Sequence, residues 1–212
     1  MLKNNFPKKI SIFPLSNAIF FPRTTLPLNI FEDRYMQLVN DCMKEEKMFG
    51  MVQPRTSTGK SPEVYQIGCL GKIVSFDETV DKRFVISLSG IIRFRIKSEI
   101  NENKLYREFN VDYSEFISDL EEKKDKQIKH NKNDVLNEVK KFFKKINYPI
   151  DNSKLSKLSM EQLANTVSMI SPFSVSEKQK LIETVKIEEK ITILEEIIKF
   201  NLFESTQDNR IQ

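Results

Sequence analysis

The sequence predicts an α+β protein: a mostly antiparallel β-barrel with one early helix, followed by a C-terminal helical bundle. Three observations carry this. Up to residue 113, apolar and polar residues alternate in several short runs, the two-residue period of half-buried strands. One early segment, 31 to 45, follows a helical period instead. Beyond residue 118 the helical period takes over, so 1–118 and 119–212 read as two subdomains.

Ile10 to Leu15 reads as the first strand, and Ala18 to Phe21 as a short apolar run after the turn residues Ser16 and Asn17. The stretch from Phe21 to Tyr35, FPRTTLPLNIFEDRY, then joins strand to helix. Pro22 and Pro27 lack the N–H of a central strand residue and so belong to edge or linking segments. Asn29 stands three residues before Glu32, a spacing that predicts a capped helix start. Phe31, Tyr35, Leu38, Val39, Cys42 and Met43 then recur at helical spacing. Phe49 to Gln53 reads as a buried strand and Pro54 to Pro62 as a polar loop.

Val64 to Phe76 is rich in β-branched residues and contains Gly68 and Gly71, signs of a bulge or a close backbone approach. Asp77 to Lys82 is a turn-like acidic segment. Phe84, Ile86 and Leu88 form the buried side of a strand that Gly90 is expected to end. Ile92, Phe94 and Ile96 alternate with Arg93, Arg95 and Lys97, which predicts one buried and one solvated face. Leu105 to Tyr113 alternates in the same way. Five or six strands with one helix point to a closed or nearly closed barrel.

Leu120 to Asn133 is mostly polar and reads as a linker or solvated helix start. Val135 to Ile146 has one apolar helical face and stops before Pro149. Ser159 with Gln162, and Ser174 with Glu177, have capping-box spacing and predict two helix starts. A last amphipathic helix carries Ile187, Ile191, Leu194, Ile197 and Ile198, giving four helices in a small bundle.

Composition narrows the function. The chain has 212 residues, 39% hydrophobic and 30% charged, with a net charge of +4, so it lacks the concentrated positive field of a dedicated nucleic-acid binder. Cys42 and Cys69 have no CxxC spacing and read as free thiols in a reducing cytoplasm. The N-terminal apolar run is broken by Pro14 and is too short for a signal peptide or a membrane span.

No motif carries catalysis. Thr58 to Ser61 reads TGKS, but a phosphate-binding loop needs glycine where Pro54 stands and a helix where Pro62 stands. His130, the single histidine, lies in a hydrophilic run, and with two distant cysteines it does not make a metal site. Glu32, Asp33 and Arg34 suit a helix start and a local ion pair. The Arg93, Arg95 and Lys97 stripe lacks the interleaved aromatics of a single-strand binder. Catalytic, cofactor and metal residues are therefore expected to be absent. The apolar residues of the opening stretch exceed what one short strand and one helix face need, which predicts an exposed polypeptide-binding surface. Its expected members are Phe20, Phe21, Leu26, Leu28 and Phe31, with Arg23 and Arg34 as the polar rim.

Five ordered blocks resemble one known family. They are Ile12 to Asn17 with Phe21-Pro22, Leu26 to Tyr35, Phe49 to Val52, Ile67 to Ile73 and Gly90 to Ile96, and Ser174 to Glu183 adds a helical segment. Together they resemble the N-terminal, substrate-binding domain of Lon protease. The resemblance implies a PUA-like barrel followed by a helical bundle. It also implies recognition of unfolded or misfolded polypeptide, or of a partner protein such as a separate Lon protease. The chain stops at Gln212 with no Walker A motor and no protease domain, so it resembles the stand-alone bacterial form, a non-enzymatic module for protein quality control or an adaptor. PUA-like barrels include RNA-binding members, which makes an RNA-binding module the alternative.

Overall fold

Residues 6–55, 63–100, 103–121 and 125–207 are described by a computed structural model. The chain divides into two compact units, Met1–Glu121 and Glu122–Gln212. The first holds β1 (Lys9–Pro14), β2 (Thr25–Ile30), α1 (Asp33–Lys44), β3 (Met48–Val52), β4 (Ile67–Glu78), β5 (Phe84–Ile100) and β6 (Arg107–Asp112). Strand order is β2-β5-β4-β3-β1-β6, and β6 pairs back onto β5. The pairing therefore closes a circuit, with β2 outside it as an edge strand. Only β1 and β3 run parallel among the paired strands.

Closure depends on the length of β5. Its 17 residues span roughly 55 Å when extended, enough to serve different partners at its two ends. Phe84 to Ser89 pair with β2 on one side and β4 on the other, while Arg95 to Ile100 pair with β6. A register shift between Ile96 and Ser98 bends the strand toward β6. Ile12, Phe49, Leu70, Ile86, Ile92 and Phe94 are buried in the core of this unit. Gly68 is required there: a Cβ would stand 2.3 Å from the Met51 carbonyl oxygen and 2.8 Å from the Phe94 ring.

Three expectations are corrected. Asn29 does not cap α1, because β2 keeps pairing through Ile30 with Phe84 and holds Asn29 in the sheet. Helix α1 starts at Asp33 with Glu32 as its N-cap residue, and the Glu32 carboxylate binds Arg34 instead of capping. Gly90 does not end a strand, since β5 runs through it and pairs it with Gly71. Arg93 is not on a solvated face: the 3₁₀ segment Ser114–Leu120 supplies Phe116 and Asp119 to it and buries it.

The second unit holds α2 (Lys132–Lys145), α3 (Asn152–Lys157), α4 (Met160–Ile170), α5 (Val175–Glu183) and α6 (Ile187–Gln207). One helix more than expected is present. Helix α3 has six residues and one buried side chain, Leu155, so it shows no period to read. Its start is set by Asp151, whose carboxylate accepts from the Ser153 and Lys154 N–H groups. Buried stripes of Val135, Val139 and Phe142 on α2, Leu163 and Val167 on α4, and Ile191, Leu194 and Ile198 on α6 form the core. Both capping boxes are formed, Ser159 with Gln162 and Ser174 with Glu177. Ser159→Ala should cost about 1 kcal/mol, read as a lower urea midpoint with an unchanged slope.

Candidate functional site

The stretch from Phe21 to Tyr35 is organised by a tight turn. The Thr24 hydroxyl and N–H both donate to the Phe21 carbonyl, at 2.7 and 3.3 Å, and Arg23 between them has φ of 59°. Pro22 suits the second position of such a turn because its φ is already set. The turn then joins β5. Arg23 N–H donates to the Gly90 carbonyl and Gly90 N–H donates to the Thr24 carbonyl, both at 2.9 Å. Two residues thus oppose one, which is the pairing of a β-bulge.

This arrangement decides where the expected contact residues go. Phe20 and Phe21 are carried into the core, and Phe20 occupies the space that a Gly71 side chain would need. Leu28 faces inward from β2 and is buried as well. A buried side chain offers no contact area, so these three do not line a surface. Leu26 and Arg23 are half-buried. Phe31 is 62% exposed. Arg34 is also exposed, 2.7 Å from the Glu32 carboxylate and with its guanidinium 4.5 Å from the Tyr35 ring centre.

Phe31 has neighbours that the sequence reading missed. Register places Asn29, Val85 and Asp77 in one cross-strand row, all three exposed, and Pro27, Ser87 and Ser75 in the next. Residues of one row share a face, so these rows form the outer face of a β2–β5–β4 wing whose inner face is core. Exposed apolar side chains gather on the wing: Phe31, Val74, Val80 and Val85, with Val80 fully exposed. The β4–β5 hairpin tip is tied by local polar contacts. Thr79 and Arg83 exchange backbone and side-chain hydrogen bonds, and Arg83 pairs with Asp81 at 2.7 Å. The Thr79 hydroxyl also donates to Asp81, and this holds the carboxyl below its usual range. The Arg83 guanidinium lies 6.0 Å from the Phe31 ring centre. A fully apolar valine within an acidic turn was the available signal for this tip.

The remaining candidates have structural explanations. The basic stripe is neutralised residue by residue: Arg93 binds Asp119, Arg95 binds Glu115 at 2.7 Å, and Lys97 lies 3.4 Å from Asp112. A phosphate would have to displace these carboxylates, which weakens the nucleic-acid reading. His130 Nε2 sits 3.2 Å from the Thr192 hydroxyl at the surface. Burial pushes the Cys42 thiol up to about 12, so it stays protonated at neutral pH and makes a poor nucleophile. The TGKS segment lies outside the described residues. Among the described residues, no group of three or more His, Cys, Asp and Glu is placed to hold a metal ion.

A pocket of about 360 Å³ opens between β1, β6 and the end of α1. Buried Glu108 lies in its wall, 3.1 Å from Lys9 and 2.9 Å from Lys104. Tyr106, two residues after Lys104, donates to Asp41 of α1. The cluster ties β1, β6 and α1 together.

Comparison with known proteins places these features in a wider group. The family model for the ATP-dependent protease La (Lon) substrate-binding domain matches residues 9–199. A Lon protease from Anaeromyxobacter dehalogenans is 21% identical over 199 residues, covering 92% of this chain and 24% of that protein. One from Syntrophus aciditrophicus is 25% identical over 207 residues, covering 92% and 25%. The chain thus spans about a quarter of the length of these relatives. A crystal structure of a Lon N-terminal domain protein from Xanthomonas campestris superposes with a TM-score of 0.63 at 20% identity, covering 88% of this chain and 96% of that one. The N-terminal domain of a Mycobacterium avium complex Lon protease gives 0.59 at 14% identity, covering 91% and 98%.

Proposed function

Because the chain belongs to the Lon substrate-binding domain family, we propose that it binds unfolded polypeptide through the outer face of the β2–β5–β4 wing. One observation carries the reading: exposed Phe31, Val74, Val80 and Val85 lie on a wing whose opposite face is already core. Full burial of a valine or phenylalanine is worth about 1.5–3 kcal/mol each. Keeping four of them in water is a cost that contact with an apolar segment removes. Arg83, Asp81, Arg34 and Glu32 form a charged rim around Phe31 and the hairpin tip. Arg23, half-buried in the turn before β2, extends this rim, whereas Leu26 shares the inner face with Leu28 and Ile30.

In this reading the module performs no chemistry of its own. It serves protein quality control in the cytoplasm, delivering clients as an adaptor to a separate Lon protease or another partner. The family match, confined to a substrate-binding domain, supports binding over catalysis. The two buried free cysteines suit a reducing compartment. The test is fluorescence anisotropy with a labelled, reduced and carboxymethylated polypeptide that cannot refold. Phe31→Asp combined with Val85→Asp should weaken binding about tenfold or more, because charges replace apolar contacts on an exposed face without touching the core. Unchanged affinity in the folded double variant argues against the surface.

A further inference from the structure

We infer that the free edge of β2 takes an extended segment of unfolded polypeptide as an added strand. This rests on the polypeptide-binding reading and specifies its mode. The Gly90 N–H bond to the Thr24 carbonyl sets the phase of the antiparallel ladder. With hydrogen-bonded residues alternating, Leu26, Leu28 and Ile30 turn their backbone groups toward β5, and Thr25, Pro27 and Asn29 turn theirs outward. Among the described residues β2 pairs with β5 alone, and Thr25, Pro27 and Asn29 are exposed. The outer edge therefore presents N–H and C=O groups at Thr25 and Asn29 and, at Pro27, a carbonyl without an N–H. Thr25 and Asn29 lie roughly 13 Å apart, so a segment of about five to seven residues covers the edge.

The chemistry of this edge selects its occupant. Backbone groups are common to every polypeptide, so pairing with them tolerates sequence, as a binder of varied unfolded chains requires. Alternate side chains of the added strand fall on the outer face, beside Pro27, Val85 and Phe31. A second copy of β2 fits less well. An antiparallel pair centred on Pro27 sets proline against proline, so both donors are missing at its centre. An unfolded segment without proline loses only one bond there.

Hydrogen exchange on the intact chain tests this, with a saturating seven-residue peptide of alternating valine and threonine flanked by lysines. The Thr25 and Asn29 amides should exchange about tenfold or more slowly when the peptide is bound. Asn29→Pro removes one outward N–H that β5 does not use, and with an unchanged circular dichroism spectrum it should weaken peptide binding several-fold. If neither amide gains protection while Phe31→Asp still abolishes binding, strand addition is overturned and the surface reading stands. Protection of the same amides in a peptide-free dimer overturns it in favour of self-pairing. Failure of the wild-type chain to bind the peptide or the carboxymethylated polypeptide overturns both.

Discussion

Asp119→Ala should cost about 3–5 kcal/mol, a large part of the 5–15 kcal/mol that holds a typical domain folded. The Asp119 carboxylate accepts three hydrogen bonds from one residue: Arg93 backbone N–H at 3.0 Å, Nε at 2.9 Å and Nη2 at 2.7 Å. Both side chains are almost sealed from water, at 2% and 4% exposure, and the guanidinium lies 4.6 Å from the Phe116 ring centre. Removing the carboxylate takes three hydrogen bonds and the counter-charge from a buried cation, which is far costlier than removing both charges together. Arg93→Met with Asp119→Leu removes both charges and should cost less than Asp119→Ala alone. Urea unfolding of the three variants measures the order. A loss under about 1 kcal/mol for Asp119→Ala would show that the pair does not pin the 3₁₀ segment to β5.

Gly90→Val should be at least as damaging. A Cβ at this position would stand 2.0 Å from the Phe21 carbonyl oxygen and 3.2 Å from the Pro22 Cα, both backbone atoms that cannot rotate away. Overpacking a core typically costs 1–3 kcal/mol. Here the clash also breaks the two hydrogen bonds that dock the Phe21–Thr24 turn, so the loss should exceed about 3 kcal/mol. The turn positions β2, so a folded remnant should also lose polypeptide binding. Thermal unfolding and the anisotropy assay together report both effects. A Gly90→Val variant of native stability would mean that the turn sits elsewhere.

These two positions show what was legible in the sequence and what was not. Local signals read well. Ser159 with Gln162 and Ser174 with Glu177 need only three-residue spacing, and both capping boxes form. The runs Ile10 to Leu15 and Phe49 to Gln53 and the alternation from Leu105 to Tyr113 likewise fall on β1, β3 and β6. Long-range pairings stayed hidden. Phe20, Phe21 and Phe31 look alike as apolar residues of one stretch. Which of them is buried depends on the turn reaching Gly90 and on Gly71 leaving room for Phe20. Arg93 reads as a surface arginine until Asp119, 26 residues later, is brought against it. Glycine in a strand run suggested an end at Gly90, whereas the close approach of the Phe21 turn is what requires it. At the candidate surface, Phe31 and Arg34 were identifiable as exposed groups near a helix start. Val80 carried a local signal as a valine in an acidic turn, whereas Val85 joins Phe31 on one face only once β2, β5 and β4 are paired.

Site-specific photo-crosslinking tests the central claim most directly. Benzoylphenylalanine is placed separately at Phe31, at Val85 and at Leu105, which is exposed and lies outside the wing. Each protein is then irradiated with the labelled, carboxymethylated polypeptide. Crosslinks at Phe31 and Val85, competed by unlabelled polypeptide and missing at Leu105, are the predicted result. Equal labelling at all three positions, or labelling at Leu105 alone, would contradict a binding surface on the β2–β5–β4 wing.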